Sequence, residues 1–550
     1  MAEDLMKMGE FARTILNERY AWTEDGQKET LPEVGMRVAK NCFKSVGAPR
    51  SLITGTANLI GLRKIMPGGR YLTNCGRPYH QVNNCVLQRA EDSREGWSDN
   101  MRKLTMALMT GAGVGVEYSL LRKKGSPIRK TGGVASGPIA LMQMNNEAGR
   151  GIRQGGDRRS AEWAGLNWKH GDIMQFIHLK DWIPEVRALK LKYVDFPATM
   201  DSTNISVGLD DEFFIAYHNE KHSLHGLAQM VYWEAVKQML KTGEPGFSVN
   251  VGKYAKEILR NACTEVTSAD PDDICNLGSV NLARIESLGE MEECCEYLTA
   301  LLLAGSVYSD VPYPEIDLVR TKNRRLGVGL MGAHEWLLKN GKRYGPDDEL
   351  AKYLEVYVNV TDRAAIEYAK KWDTSVPIAR RAMAPNGTIG IIGETTTGVE
   401  PMLVVALKRL YYKGDARHFQ YIIDPCAKRL IEQGIHPDSI EDAYSLADDP
   451  ERRVLFQTFI QKYVDQGISS TINLPPWGSE RNNENTVEKF GNMLIKPLKE
   501  LRGITVYPDG ARGGQPMQAV AYKTAIKHIG EVFVETGDVC DLTKGGGCGI

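Results

Sequence analysis

The sequence predicts an α/β fold, and three observations carry that prediction. Short apolar stretches with strand character recur along the chain: TNISVGL, RLGVGLMG, GTIGIIG, SSTINLP and GITVYP. Between them lie longer stretches with helical spacing, so strands and helices alternate as they do in a large α/β unit. The chain has 550 residues, 42% of them hydrophobic and 25% charged, which suits a globular protein with an extensive core. That length exceeds one ordinary core, so two domains or one large barrel with attachments both fit.

The elements follow in order. MAEDLMKMGEFARTIL reads as an amphipathic helix with Leu5, Met8, Phe11 and Leu16 on or near one face, and LPEVGMRVAKNCFKSV as a second. Residues 1–65 therefore form an N-terminal helical region, closed by a Gly-rich turn at MPGGRYL. Strands and helices alternate from Tyr71 onward. Helices are expected over REGWSDNMRKLTMALM, DEFFIAYHNEKHSLHGLAQMVYWEAVKQMLK and ELAKYLEVYVNVTDRAAIEYAKKW. The last segment, 536–550, contains GDVCDLTKGGGCGI apart from its first residue and is expected to be a flexible tail. No period of 20–50 residues is visible, which argues against a solenoid.

Composition excludes several function classes. A net charge of −1 leaves no electrostatic footprint for nucleic acid. The longest apolar run, Leu298–Tyr308, is too short to cross a bilayer, and the N-terminus lacks the basic start and apolar core of a signal peptide. A cytoplasmic location is expected, or host cytoplasm for a virus-encoded chain. Ten cysteines in a chain of this size are not a disulfide framework, so a pair with a role is redox-active or metal-binding.

The stretch NACTEVTSADPDDICNLGSVNL (Asn261–Leu282) places Cys263 and Cys275 near Asn261 and Glu265. A lone Cys263 reads first as a small buried residue. Zinc needs about four ligands, and there is neither CxxC nor a histidine nearby. An acyl-transfer cysteine needs a histidine partner; none is close in sequence, and a distant one stays open. Thiol redox or radical chemistry remains. In an extended segment residues i and i+2 share a face, so Asn261, Cys263 and Glu265 would point together.

N-x-C-x-E followed by a second cysteine resembles the active-site signature of the ribonucleotide reductase large subunit. Further stretches resemble that family in the same order: NNCVLQRAEDS, GAGVGVEYSLLRKKGSPIRKTGGVASGP, RQGGDRRSAEWAGL, APNGTIGIIGETTTGVEP and GITVYPDGAR. The resemblance implies a ten-stranded α/β barrel over residues 66–535 and reduction of ribonucleotides by a thiyl radical. It gives Cys263 the radical, Glu265 the base on the 3′ hydroxyl, and Asn261 a hydrogen bond to substrate. Cys85 and Cys275 become the reducing dithiol, and Cys540 and Cys548 a tail pair that re-reduces it, supplied by thioredoxin or a glutaredoxin-like donor. The spacing of that tail pair is wider than usual for the family.

The same resemblance implies substrate phosphate binding by Asn386, Gly387, Thr388, Ile389 and Gly390. It implies a deoxynucleotide effector such as dTTP at Asp92, Ser93, Arg122 and Arg129, with Mg2+ accompanying nucleotide. Gln154, Gly155, Gly156 and Arg158 fall in the specificity loop that relays effector identity. Read alone, Arg122–Arg129 is a solvated basic turn, and GAGVGV is not a dinucleotide fingerprint because its third glycine comes too early.

Family members differ in radical source. TVYPDGAR has a single tyrosine, Tyr507, followed by Pro508, and resembles the adenosylcobalamin-dependent form; MPGGRYL does too. The alternative is a large subunit served by a metal-containing, ferritin-like partner. The adjacent Tyr411 and Tyr412 lie elsewhere in the chain order and read as packing or capping residues, with an unusual radical route left open. No stretch at the N-terminus resembles an ATP cone, so specificity control without overall on/off control is expected, with a second copy of the chain, as a homodimer, among the candidate partners.

Overall fold

The structure is a computed structural model that describes residues 8–154, 158–193, 196–413, 416–511 and 517–535. The N-terminal region is helical as expected: α1 (Glu10–Arg19), α2 (Leu31–Lys44) and α3 (Arg50–Gly61). A capping box starts α2, where the Thr30 N–H donates to Glu33 Oε2 at 2.7 Å. MPGGRYL is more than a turn: Ile65–Pro67 is a strand and Gly69–Asn74 a short helix.

Ten strand positions form the body of the fold. β1 (Cys85–Arg89), β2 (Gly113–Glu117), β3 (Glu162–Asn167), β4 (Thr203–Asp210) and β5 (Gly246–Asn250) run parallel to one another. In the second half β6 (Asp273–Asn281) is parallel to β7 (Leu326–Met331), and β8 (Thr471–Leu474) to β9 (Gly503–Pro508). Antiparallel seams join the halves, β1 to β6 and β5 to β9. Residues 381–383 fill the remaining position. Arg381 bridges Val328 and Met383 bridges Ile468, both in parallel sense. The Met383 N–H donates to the Gly467 carbonyl at 3.1 Å and the Ser469 N–H to Met383 at 2.9 Å. The sheet thereby closes into a barrel of two parallel five-membered halves.

Period-two alternation decides which side chains face outward. Val86, Val114, Val116, Ile205, Val207, Phe247 and Val249 share a core with α4 (Arg94–Met109), α5 (Pro138–Gly151), α6 (Asp211–His218) and α7 (His225–Thr242). Val280, Val328 and Leu330 of the second half pack with α8 (Leu288–Tyr308), α9 (Asp348–Lys371) and the N-terminal helices. Burying each such aliphatic side chain stabilises by about 1.5–3 kcal/mol. The alternate residues of β2 and β4 are Gly113, Gly115, Asn204, Ser206 and Gly208, which leave the interior wide.

That interior holds buried side chains, among them Trp163 of β3, whose indole N–H donates to Ser206 Oγ at 2.9 Å, and a segment of chain as well. Leu259–Arg260 and Thr267–Ser268 pair as a short antiparallel hairpin whose tip is residues 261–266. A Cβ on Gly115 would lie 1.8 Å from the Arg260 carbonyl oxygen, and one on Gly113 3.0 Å from Ala262 Cβ. The hairpin can enter only because β2 carries glycine there.

Two sequence expectations are corrected, and a third stretch is placed. GTIGIIG is a helix, α10 (Gly387–Gly393), because Ile389 and Ile392 are buried at helical rather than alternating spacing. The long helix expected from Asp211 is two, α6 and α7, broken over 219–224. Tyr411 and Tyr412 lie on a strand, Ala406–Lys413, paired with Ala416–Ile423 in a separate four-stranded antiparallel sheet off the barrel. No helix among the described residues is long and apolar enough to cross a membrane.

Gly115→Ala should destabilise the fold by about 3 kcal/mol, because the hairpin backbone must move. Gly208→Ala, where the nearest atom to the added Cβ is 3.7 Å away, should leave the urea midpoint nearly unchanged.

Candidate active site

The hairpin tip carries the N-x-C-x-E residues, and its backbone is a tight turn rather than an extended strand. Thr264 sits at φ +68°. Its N–H donates to the Asn261 carbonyl at 3.1 Å, and the Asn261 N–H to Val266 at 3.3 Å. The Asn261 side chain closes the turn, its Oδ1 accepting from the Val266 N–H at 3.0 Å. Shared facing therefore comes from turn closure and not from strand alternation. Asn261 and Glu265 are buried, while Cys263 and Thr264 are half-buried at the tip.

Both barrel halves grip this tip. The Asn204 amide on β4 donates to the Ala262 carbonyl at 3.2 Å. On the other side the Gly467 N–H donates to the Glu265 carbonyl at 2.7 Å, and a Cβ on Gly467 would meet the Thr264 oxygen at 2.6 Å. Arg260 anchors the hairpin root, donating to the Val249 and Arg502 carbonyls and, at 2.7 Å, to Asn250 Oδ1. Burial and the neighbouring Arg502 lower its pKa to about 9. None of Arg260, Asn204 and Gly467 was singled out in the sequence. Only the in-facing Asn204 of TNISVGL carried a signal, as a polar residue in an alternating strand.

Cys85 opens β1 and Cys275 lies on β6, and the antiparallel register sets them directly opposite each other. Cross-strand partners have Cβ atoms about 4.5–5.5 Å apart, close to the separation of about 3.8 Å in a disulfide. Both are free, buried thiols. Burial first, then Glu265, Cys275 and Cys263, raise the Cys85 pKa; a hydrogen bond from Asn261 opposes this. Burial also raises Cys275, with Arg325 opposing. The five residues Asn261, Cys263, Glu265, Cys85 and Cys275 are thus mutual neighbours, drawn from one hairpin and two strands.

Burial raises the Glu265 pKa to about 7, against its own backbone N–H and the Asn261 side chain, which lower it. Its Oε2 is buried without a hydrogen-bond partner, so the site offers one open acceptor at the cluster. An unpartnered buried carboxylate oxygen is costly, and a substrate hydroxyl would satisfy it.

Ser279, four residues beyond Cys275 on the same face of β6, receives a hydrogen bond from the Asn386 amide at 3.0 Å. The same amide donates to the Leu330 carbonyl at 3.2 Å. Asn386 takes a left-handed conformation, φ +53°, and starts α10. The first amides of that helix, from Gly387, Thr388 and Ile389, have no acceptor within it, and a Cβ on Gly387 would meet nothing within 4 Å. Open space at a helix start suits an anion.

Among the residues expected to bind an effector, Arg122 Nε donates to Asp92 Oδ2 at 2.7 Å. Ser93 caps α4, its Oγ accepting from the Gly96 N–H at 2.9 Å. Arg129 is exposed in the loop before α5. Gln154 and Arg158 are backbone partners in a small hairpin that follows α5. Gly155, Gly156, Cys540 and Cys548 lie outside the described residues. Tyr507, on β9, pairs with Asn473.

Residues 83–239, 228–371 and 378–507, more than half of the chain, match the family model described as ribonucleotide reductase, barrel domain. The chain is similar to the vitamin B12-dependent ribonucleoside-diphosphate reductase of Mycobacterium tuberculosis strain CDC 1551 / Oshkosh. The two are 26% identical over 96% of this chain and 83% of that protein. The enzyme of the same name from Thermoplasma acidophilum is 26% identical over 84% of this chain and 65% of its own length. A putative adenosylcobalamin-dependent ribonucleoside-triphosphate reductase of Mycobacterium phage D29 is 26% identical over 78% and 71%.

The raised Glu265 pKa has a stability consequence. Between about 4.5 and about 7 the folded chain keeps a proton that the unfolded chain has lost, so this group makes stability fall as pH rises through that window. Glu265→Gln should be more stable than wild type above pH 7, by about 3 kcal/mol. The two should converge near pH 4 in urea unfolding.

Proposed function

The chain belongs to the ribonucleotide reductase family, and we propose a division of labour among its own residues for the reduction of ribonucleotides to 2′-deoxyribonucleotides. Cys263 is the thiol that becomes the radical and takes the 3′ hydrogen atom of the ribose. Glu265 accepts the proton of the 3′ hydroxyl, and Asn261 holds the substrate by hydrogen bonds. The 2′ hydroxyl leaves as water. Cys85 and Cys275 give up two protons and two electrons and end as a disulfide, and Cys263 returns the hydrogen atom to C3′. The observation that carries this reading is the direct opposition of Cys85 and Cys275 beside the unpartnered Glu265 oxygen.

The environment suits each task. A carboxyl whose pKa lies near 7 is poised to exchange a proton at neutral pH. Thiols pushed upward by burial stay protonated and keep their S–H hydrogen. A dry interior protects a radical from solvent. The open space at Gly387, where α10 starts, supports a role for residues 386–390 in holding the substrate phosphates, diphosphate or triphosphate, with accompanying Mg2+. The Asp92–Arg122 pair, Ser93 and Arg129 are the proposed deoxynucleotide site.

Adenosylcobalamin fits the residues present. Cys263 is the half-buried thiol of the three and so the one that a bound cofactor could reach. β9 has Tyr507 followed by Pro508 in place of a tyrosine pair. When bound, that cofactor supplies an organic radical able to take the hydrogen atom from Cys263. The B12-dependent relatives support this source over a ferritin-like partner subunit. The tail cysteines Cys540 and Cys548 are the proposed shuttle to thioredoxin or a glutaredoxin-like donor.

Incubation with adenosylcobalamin, ribonucleotide and dithiol, with no second protein, should yield deoxynucleotide. Activity appearing only with a metal-loaded ferritin-like subunit would refute the cofactor assignment. Cys263→Ser should abolish product while nucleotide binding persists; residual product would refute the radical role. Replacing Cys540 and Cys548 by Ser should stop multiple turnover with thioredoxin and leave about one product per site from prereduced enzyme. Sustained turnover by that variant would remove the tail from the cycle.

A further inference from the structure

A buried chain of hydrogen bonds links the effector segment to the two strands that carry the dithiol. The Asn145 amide on α5 donates to Asn100 Oδ1 on α4 at 2.9 Å. Asn100 Nδ2 donates to Gln88 Oε1 on β1 at 3.1 Å, and Gln88 Nε2 to the Tyr313 hydroxyl at 2.9 Å. The Tyr313 hydroxyl donates to Asp272 Oδ1 at 2.9 Å. Every link points the same way and ends on a carboxylate, whose other oxygen is held by Lys103 of α4 at 2.8 Å. Aligned donors of this kind polarise one another. Asn145, Asn100, Gln88 and Tyr313 are all nearly fully buried.

The ends of this chain matter. Gln88 lies three residues after Cys85, and Asp272 three residues before Cys275. The Asp272 N–H donates to the Leu87 carbonyl at 2.8 Å, so both strands are tied at that point. At the other end α4 begins at Ser93, beside the Asp92–Arg122 pair. α5 runs into the hairpin that holds Gln154 and Arg158. Asn145 also donates to the Tyr118 hydroxyl at 2.7 Å, and Tyr118 opens the loop bearing Arg122 and Arg129.

We propose that Asn100 is a positioning residue that couples deoxynucleotide binding to the geometry of the Cys85–Cys275 pair. The proposal rests on the reductase reading and names how its regulation reaches the reaction site. The physical reason is the cost of an unmade bond. Each amide sits in an apolar core and must keep its partner, so a shift of α4 or α5 carries Gln88 and the turn at Asp272 with it. Asn100 is the junction, since its side chain bonds both Asn145 of α5 and Gln88 of β1.

The test uses the full chain with adenosylcobalamin and a dithiol reductant. Relative kcat/KM for a purine and a pyrimidine ribonucleotide is measured without effector and with dATP, dGTP or dTTP. Asn100→Leu and Gln88→Met are expected to keep effector-free turnover within about twofold and to lose about fivefold or more of the effector-driven change in preference, the lower end of ordinary allosteric coupling. The double variant should lose no more than the worse single, because the links act in series. Gln88→Met conserves shape and is read alone where Asn100→Leu does not fold. A full effector response in a folded variant overturns the relay. A loss of effector-free turnover that parallels the loss of response also overturns it, as a purely structural role. A wild type that reduces ribonucleotides without responding to any of the three overturns the relay and the effector site together. A wild type that reduces nothing overturns the reductase reading itself.

Discussion

The close approach of the 259–268 hairpin to β2 is the constraint on which the site depends. A hairpin inside a barrel needs a bore wider than side chains normally leave. Here Gly113, Gly115, Asn204, Ser206 and Gly208 face inward while valine, isoleucine and leucine face the helices. The Arg260 carbonyl occupies the space of the missing Gly115 Cβ. Once inside, the tip is held from both halves by Asn204 and Gly467 and from its root by Arg260.

Insertion also sets the electrostatics. The tip carries Glu265 into a buried position, and burial raises its pKa to about 7. The same environment keeps Cys85 and Cys275 as neutral thiols. Arg325 sits nearby, but Asp273 holds it at 3.0 Å, and that buried pair limits its pull on Cys275. A free cation at that distance would favour thiolate. The interior thus combines a weakly acidic carboxyl with protonated thiols, which is the combination that proton and hydrogen-atom transfers need.

The antiparallel seam between β1 and β6 performs the second organising task. Parallel neighbours run within each half, and the two thiols come from different halves. Only where the halves meet can residues so far apart in sequence stand as direct cross-strand partners. The same seam receives the buried hydrogen bonds from α4, so the Cys85–Cys275 pair and the helix capped by Ser93 share one junction.

Much of this was legible in the sequence. Strand alternation in TNISVGL carried both the outward core and the inward polar face, and REGWSDNMRKLTMALM is helical over its whole length. N-x-C-x-E and the later cysteine marked four of the five residues that the fold gathers at the hairpin tip. GTIGIIG misled, because glycine and isoleucine in a short run fit either period, and burial on one helical face decided it. The extended reading of Asn261–Glu265 failed because Thr264 adopts a left-handed turn that the Asn261 side chain stabilises, and neither residue type announces that alone. The separate four-stranded sheet had no period strong enough to foresee. The sequence by itself determined the residue types, the periodicities and the family resemblance, which are local or cumulative properties of the chain. Only the tertiary structure decided that Cys85 faces Cys275, that Glu265 is buried and unpartnered, and that Asn100 joins α4 to both α5 and β1. Those are distances between segments remote in sequence, and close packing of the whole barrel sets them.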